Sequence, residues 1–188
     1  QDRLSGASML GSRLTPAGDP GPAGALEALY ERYTAWKYGA TEGGGIYVDE
    51  ICPALYELYE LRAAQLGKPL AEVFHATVYL IPACKLGRHE AYQLQWFRQK
   101  GLRVGAGDML AMGATSPVTL AGSIALNTAE QIALGLFNHA LFGDNKLRLG
   151  GSISVIDMRS MIYPYGRPEM ALANLMIAQM ARFYGASY

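Results

Sequence analysis

Apolar positions recur at two periods along the chain, and the alternation between the two lays out most of the elements. Leu26, Leu29, Tyr30 and Tyr33 share one face at helical spacing and Gly39 follows as a stop, so a helix is predicted over Pro22–Tyr38. The glycine turn Gly43–Gly45 precedes a short strand, Ile46–Val48. Cys52–Pro53 opens a second helix that ends at Gly67, with Leu55, Leu58, Tyr59 and Leu66 on its face. Phe74–Ile81 reads as a strand closed by Pro82. Arg88–Lys100 reads as a helix ended by Gly101, Arg103–Met109 as a strand, Pro117–Phe142 as a long helix stopped by Gly143, Leu147–Ile156 as a strand and Pro168–Tyr184 as a helix ended by Gly185. Along the long helix Val118, Ala121, Gly122, Ala125, Ala129, Ile132, Ala133 and Leu136 form a stripe of mostly small residues suited to lying close on a sheet.

Two stretches, Gly105–Glu130 and Asp157–Glu169, share one local plan. Each begins where an apolar strand runs into a loop of Gly, Asp, Met and small polar residues, and each loop enters its helix through a proline, Pro117 or Pro168. Proline suits the first helical position because its missing N–H would be unpaired there. Ser116 is the expected cap of the long helix, its hydroxyl accepting from a free N–H of the first turn. Strands alternating with helices predict an α/β fold with a parallel sheet and right-handed crossovers. A closed (β/α)8 barrel takes about 250 residues and eight strands. The predicted fold is therefore a partial TIM barrel, roughly half of one, occupying 22–188 behind an irregular Gly/Pro/Ser-rich arm at 1–21. Its open strand edges are expected to be covered by a partner chain, a second copy or further segments of the protein, and a homo-oligomer is expected.

Composition narrows the classes. The 188 residues carry zero formal net charge, which gives no basic excess for nucleic acid or an anionic membrane. Charges interrupt every apolar run before the roughly 20 residues a membrane helix needs. Two cysteines, Cys52 and Cys84, make no disulfide framework, and a cytoplasmic location is expected. His75, His89 and His139 do not form a metal set. Gly105 and Gly107 begin a G-x-G, but Leu110 stands where the dinucleotide fingerprint needs glycine, and no phosphate-binding G-x-x-x-x-G-K-[ST] loop occurs.

GDMLAMGATSPVTLAGSIALNTAEQIA, followed after a spacer by GGSISVIDMRSMIYPYGRPEMALANLMIAQMARFYG, resembles the core of the trimethylamine methyltransferase family. FHATVYLIPACKLGRHEAYQLQWFRQKGLRVGAGDM, and before it EGGGIYVDEICPALYE, are most similar to the branch without pyrrolysine, which includes glycine betaine methyltransferases. The resemblance runs from about Ala25 to Tyr184 and implies a fragment of a longer TIM barrel; the family position for pyrrolysine falls beyond Tyr188. It also implies transfer of a methyl group from a quaternary or tertiary amine to the Co(I) corrinoid of a partner protein. No aspartate is followed two positions later by histidine, so the D-x-H corrinoid-ligand motif is missing and the cofactor is expected on the partner rather than on this chain.

Under that reading a quaternary ammonium, which has no N–H to donate, needs aromatic faces and a carboxylate. Asp108, Met109, Met112, Thr115 and Ser116 follow a strand end and are read as a substrate-facing loop; the alternative is a turn that only caps the helix. Asp157, Met158, Arg159, Tyr163 and Tyr165 follow the last strand and are read as part of a cation site; the alternative is a local Asp–Arg pair and packed tyrosines. Tyr47 and Tyr79 lie near strand ends and are candidates too. The expected substrate-binding set is Asp108, Met112, Thr115, Asp157, Arg159, Tyr163, Tyr165 and Tyr79, gathered where the loops Pro82–Leu86, Asp108–Ser116 and Asp157–Gly166 converge at the C-terminal strand ends. No residue is singled out as catalytic. The rival readings are a catalytically incomplete barrel fragment or scaffold, and another βα-barrel enzyme using Lys85 as an essential lysine.

Overall fold

A computed structural model describes residues 26–39, 44–143 and 145–188. The arm at 1–21, the start of the first helix at Pro22 and Gly43 of the glycine turn lie outside the described residues. The chain divides into two compact units, Gln1–Val78 with Arg88–Gly105, and Tyr79–Gly87 with Ala106–Tyr188.

The first unit is mainly helical: α1 (Glu27–Lys37), α2 (Cys52–Leu66), the single turn α3 (Leu70–Val73) and α4 (Arg88–Gln99). Its core is a chain of packed rings, edge-on except for the tilted Phe74–Phe97 pair. Trp36 meets Tyr59 at 5.2 Å, Tyr59 meets Phe74 at 5.0 Å, Phe74 meets Phe97 at 4.9 Å, and Phe97 meets Trp96 at 4.8 Å. The Tyr59 hydroxyl donates to the His75 carbonyl. Helix α1 does not bury the predicted tyrosine face; Tyr30 and Tyr33 are exposed, and Ala28, Glu31, Arg32 and Ala35 point inward. Arg32 decides this. Its guanidinium is fully buried and donates to the carbonyls of Gly44 (2.5 Å), Gly45 (2.9 Å) and Ala28 (3.0 Å), which give the buried cation its hydrogen-bond partners. Helix α2 runs as predicted and ends at Gly67, burying Leu55 and Tyr59 but leaving Leu66 exposed. Ile46–Val48 forms no strand, only a parallel bridge from Gly45 to Thr77.

The strand β1 (Thr77–Tyr79) is shorter than Phe74–Ile81 because Leu70–Val73 coils into α3 and Ile81 turns back to Lys85. β2 (Gly105–Gly107) and β3 (Met109–Met112) split the predicted Arg103–Met109 strand at Asp108, and Met109–Met112 is strand rather than loop.

In the second unit β3 pairs in parallel with β4 (Ser152–Val155), Met109 opposite Ser152 and Met112 opposite Val155. Alternation sends Leu110, Met112, Ile153 and Val155 to one face, where Ile124 of α5 (Leu120–Phe142) and Ala173 and Ile177 of α6 (Pro168–Phe183) complete the core. Parallel strands with helices packed on one face are the α/β arrangement expected. Pro168 takes the first turn of α6 as predicted. The long helix starts later: Thr119, not Ser116, is the cap, its hydroxyl accepting from Gly122 N–H at 3.2 Å. The Ser116 hydroxyl instead pairs with Ser123 at 2.7 Å. Thr119→Ala is expected to cost about 1 kcal/mol of stability in urea unfolding, whereas Ser116→Ala leaves the cap intact.

The predicted stripe of α5 is also the wrong face. Val118, just ahead of the helix, and Leu136 are among its most exposed positions; Ser123, Asn127, Thr128, Glu130 and Gln131 turn inward with Ile124 and Leu134. A helix rich in apolar residues thus buries its polar side, and the group it buries that side against is Asp108.

Candidate functional site

Asp108 sits in the break between β2 and β3, and its carboxyl faces α5. Asn127 Nδ2 donates to Asp108 Oδ1 at 2.8 Å and Oδ2 at 2.9 Å, and to the Gly150 carbonyl at 3.0 Å. Gln131 Nε2 donates to Oδ2 at 3.2 Å. These donors and Glu130 lie on one face of α5 through i, i+3, i+4 spacing. Gly151 closes the other side: a Cβ there would lie 2.0 Å from Asp108 Oδ1 and 2.5 Å from Asn127 Nδ2, and its φ of +107° suits only glycine. Burial pushes the Asp108 carboxyl up to about 7; the neighbouring Glu130 adds to this, against the pull of the Gln131 and Asn127 amides. Glu130 is itself fully buried, with Oε1 accepting from Cys84 N–H at 2.5 Å.

The opposite face of the strand pair carries Met109, Ser152 and Ser154, and the loop after β4 folds back over it. The Tyr163 and Ser152 hydroxyls are 2.9 Å apart, Ser154 donates to the Pro164 carbonyl at 2.9 Å, and the Tyr165 hydroxyl donates to Met109 Sδ at 3.7 Å. The Tyr163 and Tyr165 rings meet edge-on, 5.1 Å between centroids at 63°. Tyr163 is partly buried and Tyr165 half-exposed, so the pair presents ring surface to solvent. Burial raises both phenols, and for Tyr163 the nearby Asp108 charge adds to it, so both hydroxyls stay neutral at pH 7.

The predicted set is therefore only partly assembled. Tyr163 and Tyr165 come together over Ser152 and Met109, at the N-terminal ends of β4 and β3 and not at the C-terminal strand ends expected, because the loop after β4 folds back along the strands. Asp108 is at the same end, but it is 1% exposed and turned to the helices, so it lies behind the tyrosine face rather than lining it. Met112 is in the apolar core, not in a loop. Thr115 is exposed and its hydroxyl accepts from Ala111 N–H at 2.9 Å, which makes it a turn residue. Asp157 lies five residues beyond Ser152, on the order of 15 Å along the strand, and its carboxylate accepts from the Arg159 backbone N–H at 3.0 Å. That bond holds Asp157 below its usual range. The Arg159 side chain is exposed, and its contact with Asp157 is through the backbone rather than an ion pair. Tyr79 is on β1 and 43% exposed. Tyr47, in the first unit, donates to Glu31 Oε2 at 3.3 Å. The convergence of three loops fails for Asp108–Ser116 and Asp157–Gly166, because strand β3 separates Asp108 from the turn at 113–116 and the 157–166 loop runs back along the strands. Pro82–Leu86 does reach the cluster, through Cys84 and Glu130.

Asn127, Glu130, Gln131, Ser152 and Gly151 were missed. The three polar residues at i, i+3, i+4 inside an apolar helix were a legible signal. A separate cavity of about 170 Å³ in the first unit, lined by Trp36, Arg62, Leu66, Lys68, Glu72, Val73 and His75, holds none of the predicted site residues.

The profile of the family described as Trimethylamine methyltransferase (MTTB) matches residues 89–188, more than half of the chain and all of β2 to α6. The chain belongs to the trimethylamine methyltransferase family. The match is shorter than the Ala25–Tyr184 span of the resemblance. Among curated relatives, trimethylamine methyltransferase MttB of Desulfitobacterium hafniense (strain DSM 10664 / DCB-2) is 32% identical over 80 residues, covering 41% of this chain and 16% of that protein. MttB of Methanosarcina thermophila is 31% identical over 85 residues, covering 45% and 18%. Glycine betaine methyltransferase of D. hafniense (strain Y51) is 33% identical over 92 residues, covering 49% and 19%. The matched segment thus spans less than a fifth of the length of each of these relatives. Among the described residues of this family member, no helix is long and apolar enough to cross a membrane.

Proposed function

We propose that this chain is part of a methyltransferase that removes a methyl group from a quaternary or tertiary methylated amine, of the glycine betaine or trimethylamine kind, and passes it to the Co(I) corrinoid of a partner protein. The observation that carries the reading is the family match over 89–188, which contains the whole tyrosine face. In this reading β3, β4 and their helices are consecutive units of a TIM barrel, and the tyrosine face is turned toward its interior.

The chemistry is a displacement at carbon: the nitrogen keeps the electron pair of the breaking C–N bond as the methyl group leaves. The reduced corrinoid supplies the nucleophile. What this chain contributes is position. The exposed parts of Tyr163 and Tyr165 hold the ammonium against ring faces, and the Ser152 and Met109 contacts fix the two rings. In this reading the corrinoid arrives on another polypeptide. Lys85, the lysine of the rival barrel reading, is exposed in a turn rather than held in an apolar pocket.

Tyr163→Ala and Tyr165→Ala are each expected to weaken betaine binding by roughly 0.5–2 kcal/mol in calorimetry. Tyr163→Phe, which keeps the ring and loses the Ser152 contact, should bind nearly as wild type. The full-length parent protein, supplied with Co(I) cobalamin and either glycine betaine or trimethylamine, is expected to form methylcobalamin. Absence of transfer from both amines would favour a scaffold over an enzyme.

A further inference from the structure

Outside the tyrosine face, the second unit holds two buried carboxyls whose hydrogens can be counted. Asn127 has two amide hydrogens; with contacts to both Asp108 oxygens and to the Gly150 carbonyl, one goes to the carbonyl and the other is shared across the carboxyl. Gln131 brings one more to Asp108, and Cys84 N–H brings one to Glu130 Oε1. Glu130 Oε2 is buried and has no donor among the described residues. Asp108 is held by Asn127 and Gln131 on the same face of α5 that carries Glu130, which makes the two carboxyls neighbours. A carboxylate has no hydrogen to give, and a carboxylic acid has one.

We propose that Asp108 and Glu130 share a single proton, the Asp108 O–H donating to Glu130 Oε2, and that this proton keeps the turn Ile81–Lys85 latched to helix α5. The latch is the Cys84 N–H on the other oxygen of Glu130. The turn is closed by its own paired bonds, Ile81 N–H to the Lys85 carbonyl at 2.9 Å and the reverse at 3.0 Å, so it moves as a piece. Among the described residues, the groups facing the pair from α5 are Glu130 itself and the neutral amides of Asn127 and Gln131; from the approach to β4, the backbone of Gly150 and Gly151; from the loop after β4, the neutral Tyr163 phenol; and from the turn, the Cys84 N–H. Loss of the proton sets two like charges in contact in a dry site. Asp108 has no room to retreat, because Gly151 is packed against it. The movement falls on Glu130 and the turn it holds. The burial that pushes Asp108 up to about 7 places the change near neutrality. This inference does not depend on methyl transfer.

Amide exchange on the 188-residue chain tests it. Protection at Cys84, corrected for intrinsic rate, should fall roughly tenfold or more between about pH 6 and about pH 8 while the amides of α6 keep theirs. The infrared spectrum at about pH 6 should show a protonated carboxyl that Asp108→Asn removes. That variant keeps an N–H where the O–H was, so Cys84 should stay protected at both pH values. Flat wild-type protection across the range, a protonated-carboxyl band that survives in Asp108→Asn, or a pH step retained in that variant would each overturn the proposal. Should the variant not fold, the wild-type exchange profile decides alone.

Discussion

Gly151→Ala is expected to destabilise the protein by roughly 2–6 kcal/mol, a large share of the stability of an ordinary domain. Two costs combine. The φ of +107° lies where an L side chain is strained, at roughly 1–3 kcal/mol. The new methyl would also arrive 2.0 Å from Asp108 Oδ1 and 2.5 Å from Asn127 Nδ2. Neither atom belongs to a free side-chain end: Asp108 takes hydrogens from Asn127 and Gln131, and Asn127 is tied to the Gly150 carbonyl as well. Overpacking of a held core costs about 1–3 kcal/mol. Urea unfolding of the variant measures the sum, and a loss below about 1 kcal/mol would show that the Asp108 cluster yields easily.

Stability should also fall as pH rises from about 4 to about 7, and Asp108→Asn should flatten that slope. Asp108 has a folded-state pKa of about 7 against the ordinary 3.8. The folded protein therefore holds a proton that the unfolded chain has released. The contribution is fully present below the unfolded value and is lost as pH rises through the folded one. The slope from this group is about 1.4 kcal/mol per pH unit, for a total on the order of 4 kcal/mol. It levels off above about pH 7, where Asp108 is ionised in both states. Denaturant midpoints from acid to neutral pH, for wild type and Asp108→Asn, give the difference directly. Parallel curves for the two proteins would remove Asp108 as the source.

The helices were legible where ends are marked by residues with one physical use. Gly67, Gly101, Gly143 and Gly185 all take positive φ at the predicted stops, and Pro168 begins its helix as predicted. Faces were less legible, because apolar periodicity assumes that the apolar side is the inner one. In α1, Arg32 turns inward to serve the carbonyls of Gly44 and Gly45, which carries Tyr30 and Tyr33 outward. In α5, Asn127 and Gln131 turn inward to serve Asp108. In both cases a polar demand from another segment outweighs the stripe, and a stripe count cannot see that segment. Site residues followed the same rule. The tyrosines of the 157–166 loop pack ring against ring, which the alternative reading of packed tyrosines expected. Their partners Ser152 and Met109 depend on the loop folding back over the strands, which no local spacing encodes.

Both tryptophans of the chain, Trp36 and Trp96, belong to the ring cluster of the first unit. The second unit has tyrosines and the exposed Cys84 thiol but no indole. Intrinsic fluorescence excited at the indole band will therefore report the melting of the aromatic cluster alone, and a dye on Cys84 will report the other unit. Coincident transitions from the two probes would mean that the units unfold together, and separated ones would resolve each unit's own stability in a single sample.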